Sequence, residues 1–247
     1  MTRYLITFSY DGTNFLGLQK QPKLRTVQGE MEKVLKILNN NKKVELVSSG
    51  RTDAKVHALA QKAHFEIEVK TTCEKLKQFF KSYLPSDIFV KEVEEIDDTF
   101  HARYNVKAKE YMYLINMGDY SPHDRNYVYQ YNKKLDVVAM QRALKYLEGT
   151  QDFTSFSPTN NEKENMIRTI TFTNLIRDPK DNNKITIIFL GTGFLRYMVR
   201  NMIGTLIKVG EGKLKPEDIL DIIKAKDRKK AGVTSNPEGL YLKNVFY

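Results

Sequence analysis

Apolar and polar side chains alternate from Tyr4 to Tyr10 and stop at Asp11-Gly12, which predicts a half-buried strand running into a tight turn. Thr26 then offers a helix cap. Behind it Val27, Met31, Val34, Leu35 and Leu38 recur at three- and four-residue spacing, gathering on one face of a helix from Val27 to Leu38. Val44 to Val47 and Ala63 to Val69 read as strands flanking the polar segment Ser48 to Asp53. A second helix is expected from Cys73 to Leu84, with Thr71 and Glu74 at capping-box spacing and Pro85 as the stop.

A similar order returns after a boundary near residue 105: a strand from Tyr111 to Ile115, a helix from Asp136 to Leu147, strands from Thr169 to Ile176 and Ile185 to Leu190, and a helix from Leu195 to Val209. The segment from Asp178 to Asn183 has the composition of a hairpin turn. Pro216, Glu217 and Asp218 open a last helix, since proline suits the first helical position and acids suit the positive end of the dipole. A loop from Gly232 to Gly239 leads to a final strand, Leu240 to Tyr247. The pattern predicts an α+β chain of two related halves, residues 1–105 and 106–247, packed across a shared sheet with a cleft between them.

Composition narrows the partners. Forty Lys and Arg against thirty Asp and Glu leave a net charge of +10, and such a surface releases counterions when it neutralises phosphates, so a nucleic acid is the favoured partner. Cys73 is the single cysteine, which excludes an intrachain disulfide and fits a reducing compartment such as the cytoplasm. The amino-terminal stretch lacks a signal-peptide h-region, and no run approaches the roughly 18 apolar residues of a membrane span, so no membrane association is expected.

The four histidines, His57, His64, His101 and His123, are scattered, and no HExxH spacing occurs, so metal catalysis is not indicated. Neither a GxxxxGK[ST] loop nor a GxGxxG after a strand is present. The chemistry is expected to use side chains alone, with no cofactor and no metal. The segment Gly50-Arg51-Thr52-Asp53-Ala54-Lys55-Val56-His57-Ala58 places one carboxylate among three cationic or titratable side chains. Taken alone it reads first as a solvated loop whose Asp caps a turn, as charged loops commonly do, although Arg51 is placed to lower the Asp53 pKa.

That segment resembles the active-site motif of the tRNA pseudouridine synthase A family. Tyr10-Asp11-Gly12-x-x-Phe15-x-Gly17-x-Gln19-x-Gln21 with Thr26-Val27-Gln28 resembles the family's amino-terminal signature. Phe100-His101-Ala102-Arg103 followed by Lys109-x-Tyr111-x-Tyr113 is similar to its central motif, and Gly193 to Gly204 to its second-half motif. Ala231-Gly232 with Pro237-x-Gly239-Leu240-x-Leu242 matches the carboxy-terminal signature. The likeness runs through the chain in the right order.

The resemblance implies a pseudouridine synthase fold, two related α/β halves around a central, mainly antiparallel sheet, with the catalytic Asp loop in residues 1–105 and the Tyr and Arg motifs in 106–247. It implies a homodimer that isomerises uridine to pseudouridine at positions 38 to 40 of the tRNA anticodon stem-loop. Asp53 would be the catalytic nucleophile or base, Arg200 its ionic partner, and Tyr111 the ring that stacks on the flipped base and assists proton transfer. Arg51, Lys55, His57, Arg103, Lys107, Lys109 and Arg196 are the candidates for RNA contacts. The basic run from Lys224 to Lys230 reads as a solvated helix end.

Three positions depart from the family pattern. Lys55 stands where a glycine usually follows Asp-Ala, Leu18 replaces an aromatic, and Gln151 replaces a histidine. A glycine at position 55 with positive φ would leave Lys55 straining or reshaping the loop. These departures leave open a paralogue with a shifted tRNA or rRNA target, and a catalytically silent RNA-binding protein.

Overall fold

The computed structural model describes residues 1–158 and 165–247, which form two compact units: Met1–Lys107 together with Tyr241–Tyr247, and Ala108–Leu240. Both are α+β with mainly antiparallel strands.

In the first unit the strand order is β4 (Ile88–Ile96), β1 (Thr2–Tyr10), β3 (His57–Ile67) and β10 (Leu240–Phe246), with the two-residue β2 (Val47–Ser48) also on β3. The pairings are antiparallel except β10 on β3, which runs parallel through Tyr241 opposite His57 and Leu242 opposite Ala58. Helix α1 (Val27–Leu38) begins where its sequence predicts, Thr26 accepting the Gly29 N–H as its cap, and it buries Val27, Met31, Val34 and Leu35. Burying four such side chains contributes on the order of 1.5–3 kcal/mol each. Helix α2 (Cys73–Tyr83) is capped by Thr72, one residue later than expected, through the Lys75 N–H. The strand expected over Val44–Val47 is reduced to β2, β3 is longer than expected, and β4 is an element the sequence pattern did not reveal.

In the second unit the order is β5 (Ala108–Asn116), β9 (Lys184–Gly191), β8 (Ile167–Arg177) and β7 (Gly149–Asp152), all antiparallel, with the short β6 (Tyr129–Gln130) parallel to β5. Helix α3 (Val137–Lys145) is capped by Asp136 and buries Val137, Met140, Ala143 and Leu144. Helix α4 (Met198–Gly210) starts three residues later than the periodicity suggests, because Tyr197 before it takes a left-handed conformation with φ 59°. It is buried on most of its surface. Helix α5 (Asp218–Ala225) follows. The hairpin turn expected over 178–183 joins β8 to β9, with the Asp178 N–H donating to the Lys184 carbonyl.

Candidate active site

In the first unit Asp53 lies half-buried on the turn between β2 and β3. The turn closes on itself, the Val56 N–H donating to the Asp53 carbonyl at 3.2 Å. The amino-terminal segment braces it. The Lys55 N–H donates to the Phe15 carbonyl at 3.1 Å, and the Leu18 N–H donates to the Thr52 carbonyl at 3.2 Å. Thr52, the residue before Asp53, shares a buried 2.7 Å hydrogen bond with the Tyr10 hydroxyl, whose pKa burial pushes up. Gly12 and Gly17 permit this approach: a Cβ on Gly12 would lie 2.1 Å from the Val56 carbonyl oxygen, and Gly17 has φ +97° with Thr52 O 3.0 Å from its would-be Cβ. The first two sequence signatures are thus one structure, a loop and the segment that holds it.

Lys55 has φ 63°, the left-handed region that glycine favours, and its side chain is exposed. The Asp53 turn therefore keeps a glycine-like backbone and stores strain of about 1–2 kcal/mol at this lysine. Arg51 is exposed. His57, expected to touch substrate, is instead 2% exposed and stacked on Tyr241 at 4.6 Å. Its Nδ1 accepts the Gly12 N–H at 3.0 Å and lies 3.3 Å from the Asp11 carboxylate. A buried imidazole in this place is a brace for Gly12 rather than a surface for RNA. Arg103 is exposed on the loop after β4, whose backbone folds around His101: the Arg103 and Tyr104 N–H groups both donate to His101 Nδ1. Lys107 is exposed, and its N–H donates to the Phe246 carbonyl.

In the second unit Tyr111 sits on β5, buried but for 8% of its surface, with Phe194 edge-on to its ring at 5.1 Å. Lys109 is half-buried on the same strand. Arg200 occupies the first turn of α4, where Nε donates to the Ser235 carbonyl at 2.8 Å and the Ser235 N–H returns a bond to the Arg200 carbonyl at 3.1 Å. Arg196 and Arg200 both lie over the Tyr197 ring, at 4.7 and 5.4 Å from its centre. Arg196 is exposed and also donates to the Tyr197 hydroxyl at 2.9 Å. Sequence reasoning missed Ser235, because a backbone carbonyl leaves no trace in residue identity. It also misread Arg228. That side chain is half-buried, not solvated, and donates to the Gly232 carbonyl, Asn201 Oδ1 and Thr234 Oγ1 at 2.8, 2.9 and 3.1 Å. The segment it holds lies against α4, where a Cβ on Gly204 would meet the Val233 carbonyl oxygen at 1.7 Å. The paired glycines of the second-half and carboxy-terminal signatures were the available signal.

The other two departures are accommodated. Leu18 is buried. Gln151 on β7 donates through Nε2 to the Tyr146 and Glu148 carbonyls at 3.0 and 2.8 Å, closing the end of α3.

Residues 6–105 and 143–247 match the family model described as tRNA pseudouridine synthase. Lys109 and Tyr111 fall outside those stretches. The chain is 44% identical over its whole length to proteins named tRNA pseudouridine synthase A from an Exiguobacterium species, covering 98% of that protein, and from Oceanobacillus iheyensis, covering 97%. The same name belongs to a Streptococcus equi protein, 44% identical over 100% of this chain and 99% of its own. A crystal structure of a Cbf5-Nop10-Gar1 complex aligns with a TM-score of 0.36 and 14% identity over 83% of this chain and 45% of that one. By the family model and by full-length relatives alike, this chain belongs to the tRNA pseudouridine synthase family, isomerases that act on RNA.

Proposed function

We propose that the chain isomerises uridine to pseudouridine in tRNA, at positions 38 to 40 of the anticodon stem-loop, with Asp53 as the catalytic carboxylate. The observation that carries this reading is full-length identity of 44% to synthases of the A type, with the Asp53 turn braced by the amino-terminal signature. The reaction breaks the bond from ribose C1′ to uracil N1, turns the base, and joins C1′ to C5, while the C5 proton is lost and N1 gains one. Water must be kept from C1′ throughout. Uracil leaves as a resonance-stabilised anion, so no second acid is needed for the leaving group, in contrast to a glycosidase. One carboxylate suffices, either attacking C1′ or removing a ribose proton.

Arg200 is the proposed partner that keeps Asp53 ionised, a task suited to a planar guanidinium. Its Nε is held by the Ser235 carbonyl at 2.8 Å, which fixes the base of the guanidinium. Tyr111 is proposed to stack on the extruded base and assist removal of the C5 proton. Arg51, Lys55, Arg103, Lys109 and Arg196 are proposed to contact RNA. The retained left-handed turn at Lys55 and the structural use of Gln151 favour the usual target over a shifted one. A homodimer, a cytoplasmic location and independence of metal and cofactor belong to the same proposal. Among the described residues no helix is long and apolar enough to cross a membrane.

The test is incubation with tRNA carrying tritium at uridine C5. Tritium release without strand cleavage is expected. No release from several RNA substrates that nevertheless bind tightly would identify a silent RNA-binding protein instead.

A further inference from the structure

We propose that the turn following α5 is a phosphate-binding shelf for RNA, mounted on the segment that holds Arg200. This inference rests on the reading of the chain as a tRNA-binding enzyme. Asp227, Arg228, Lys229 and Lys230 form a tight 3-10 turn, its backbone fixed by Asp227: the side chain accepts the Lys229 N–H at 2.9 Å and the carbonyl accepts the Lys230 N–H at 3.1 Å. Arg228 points inward and is anchored on three oxygens. With the middle of the basic run pinned inside, Lys229 and Lys230 are turned out to solvent.

Charge and rigidity point the same way. Lys226 is occupied by Asp152 at 2.8 Å, whereas among the described residues Lys229 and Lys230 make no ion pair. A lysine on a fixed backbone loses less freedom on binding than one on a mobile tail. The shelf is also tied to the proposed catalytic arginine. Asn201, next to Arg200, accepts from Arg228, and Thr234, which receives another Arg228 bond, is followed by Ser235, which holds Arg200. Val233, 75% exposed between these anchors, adds an apolar surface suited to a ribose or base face. Two outward cations and an apolar ledge on one braced segment match a sugar-phosphate chain.

The experiment measures tRNA affinity at a series of salt concentrations for three forms of the full chain: the parent, Lys229→Ala/Lys230→Ala, and Lys77→Ala/Lys81→Ala. The last pair removes the same charge from exposed positions on α2. The shelf variant should show a slope of log affinity against log salt shallower by about 2, and the α2 variant the parent's slope. Equal slopes in all three forms would overturn the proposal, as would an equal loss in both variants, which reports net charge alone. Tritium release by the parent is followed in parallel. Release together with an unchanged slope removes the shelf and leaves the isomerase. A shelf-dependent slope without release supports the shelf and removes the isomerase.

Discussion

Arg200 and Ser235 are hydrogen-bonded in both directions, side chain to carbonyl at 2.8 Å and N–H to carbonyl at 3.1 Å, so a loop fixes the guanidinium at its base. Lysine has no Nε–H at that height and no planar fork. Arg200→Lys should lower kcat roughly tenfold to a hundredfold, the value of a charge-assisted hydrogen bond, with tRNA affinity little changed. Single-turnover rates alongside binding measurements check it, and an undiminished rate would remove Arg200 from the proposed chemistry.

Asp53→Asn is nearly isosteric, and the Val56, Lys55 and Leu18 N–H bonds at the turn all run to backbone carbonyls that the change leaves in place. Turnover should fall by roughly a thousandfold or more while tRNA affinity stays within a few-fold. Full activity in this variant would refute the assignment of the carboxylate.

The strain at Lys55 gives a stability prediction with a built-in control. Lys55→Gly should raise the unfolding free energy by roughly 1 kcal/mol, since glycine adopts φ 63° without a Cβ clash, whereas Lys55→Ala keeps the clash and should not. Urea midpoints of the two variants separate the cases.

Gly12→Ala should be far more harmful than its size suggests. The added methyl would have to displace the Val56 carbonyl, 2.1 Å away, and with it the turn that carries Asp53. Loss of both activity and about 1–3 kcal/mol of stability is expected, read by tritium release and thermal unfolding.

His64 supplies a pH dependence. Burial, with the neighbouring His101 and Arg3, lowers its pKa to about 4 from the usual 6.5, and its Nδ1 accepts the Ala102 N–H. A histidine held neutral binds fewer protons folded than unfolded. Its contribution is therefore complete above pH 6.5 and is lost as pH falls toward 4. His64→Gln should show a shallower loss of stability over that window in urea titrations. An unchanged pH profile would mean that the imidazole takes up its proton without disturbing the fold.

Helix α1 was readable because a capping threonine and a regular apolar face coincide at Thr26 and Val27. Strand β4 was hidden for a physical reason. Ile88 and Val90 point inward, Lys91 is an extra residue where the pairing with Thr7 and Phe8 slips, and the inward set resumes at Val93, so the two-residue period breaks midway. The start of α4 was misplaced because Tyr197 adopts a left-handed turn with neither Gly nor Asn to announce it. At the site, the resemblance named Asp53, Tyr111 and Arg200, and the turn at Lys55 could be anticipated from the glycine it replaces. The supports at Ser235 and Arg228 could not be anticipated, since they act through carbonyls and through a loop brought close by Gly204 and Gly232.

The half that carries Asp53 is discontinuous in the chain. Residues 241–247 return to it: Tyr241 covers His57, Leu242 pairs with Ala58, and the Tyr247 hydroxyl donates to the Ala102 carbonyl. During synthesis the first 107 residues therefore emerge with part of β3 bare and the His57 ring uncovered, an edge open to wrong pairing. Maturation of the aspartate's surroundings must wait until more than a hundred further residues have left the ribosome, so a nascent chain stalled before Tyr241 would reach the chaperones with its Asp53 loop still unfinished.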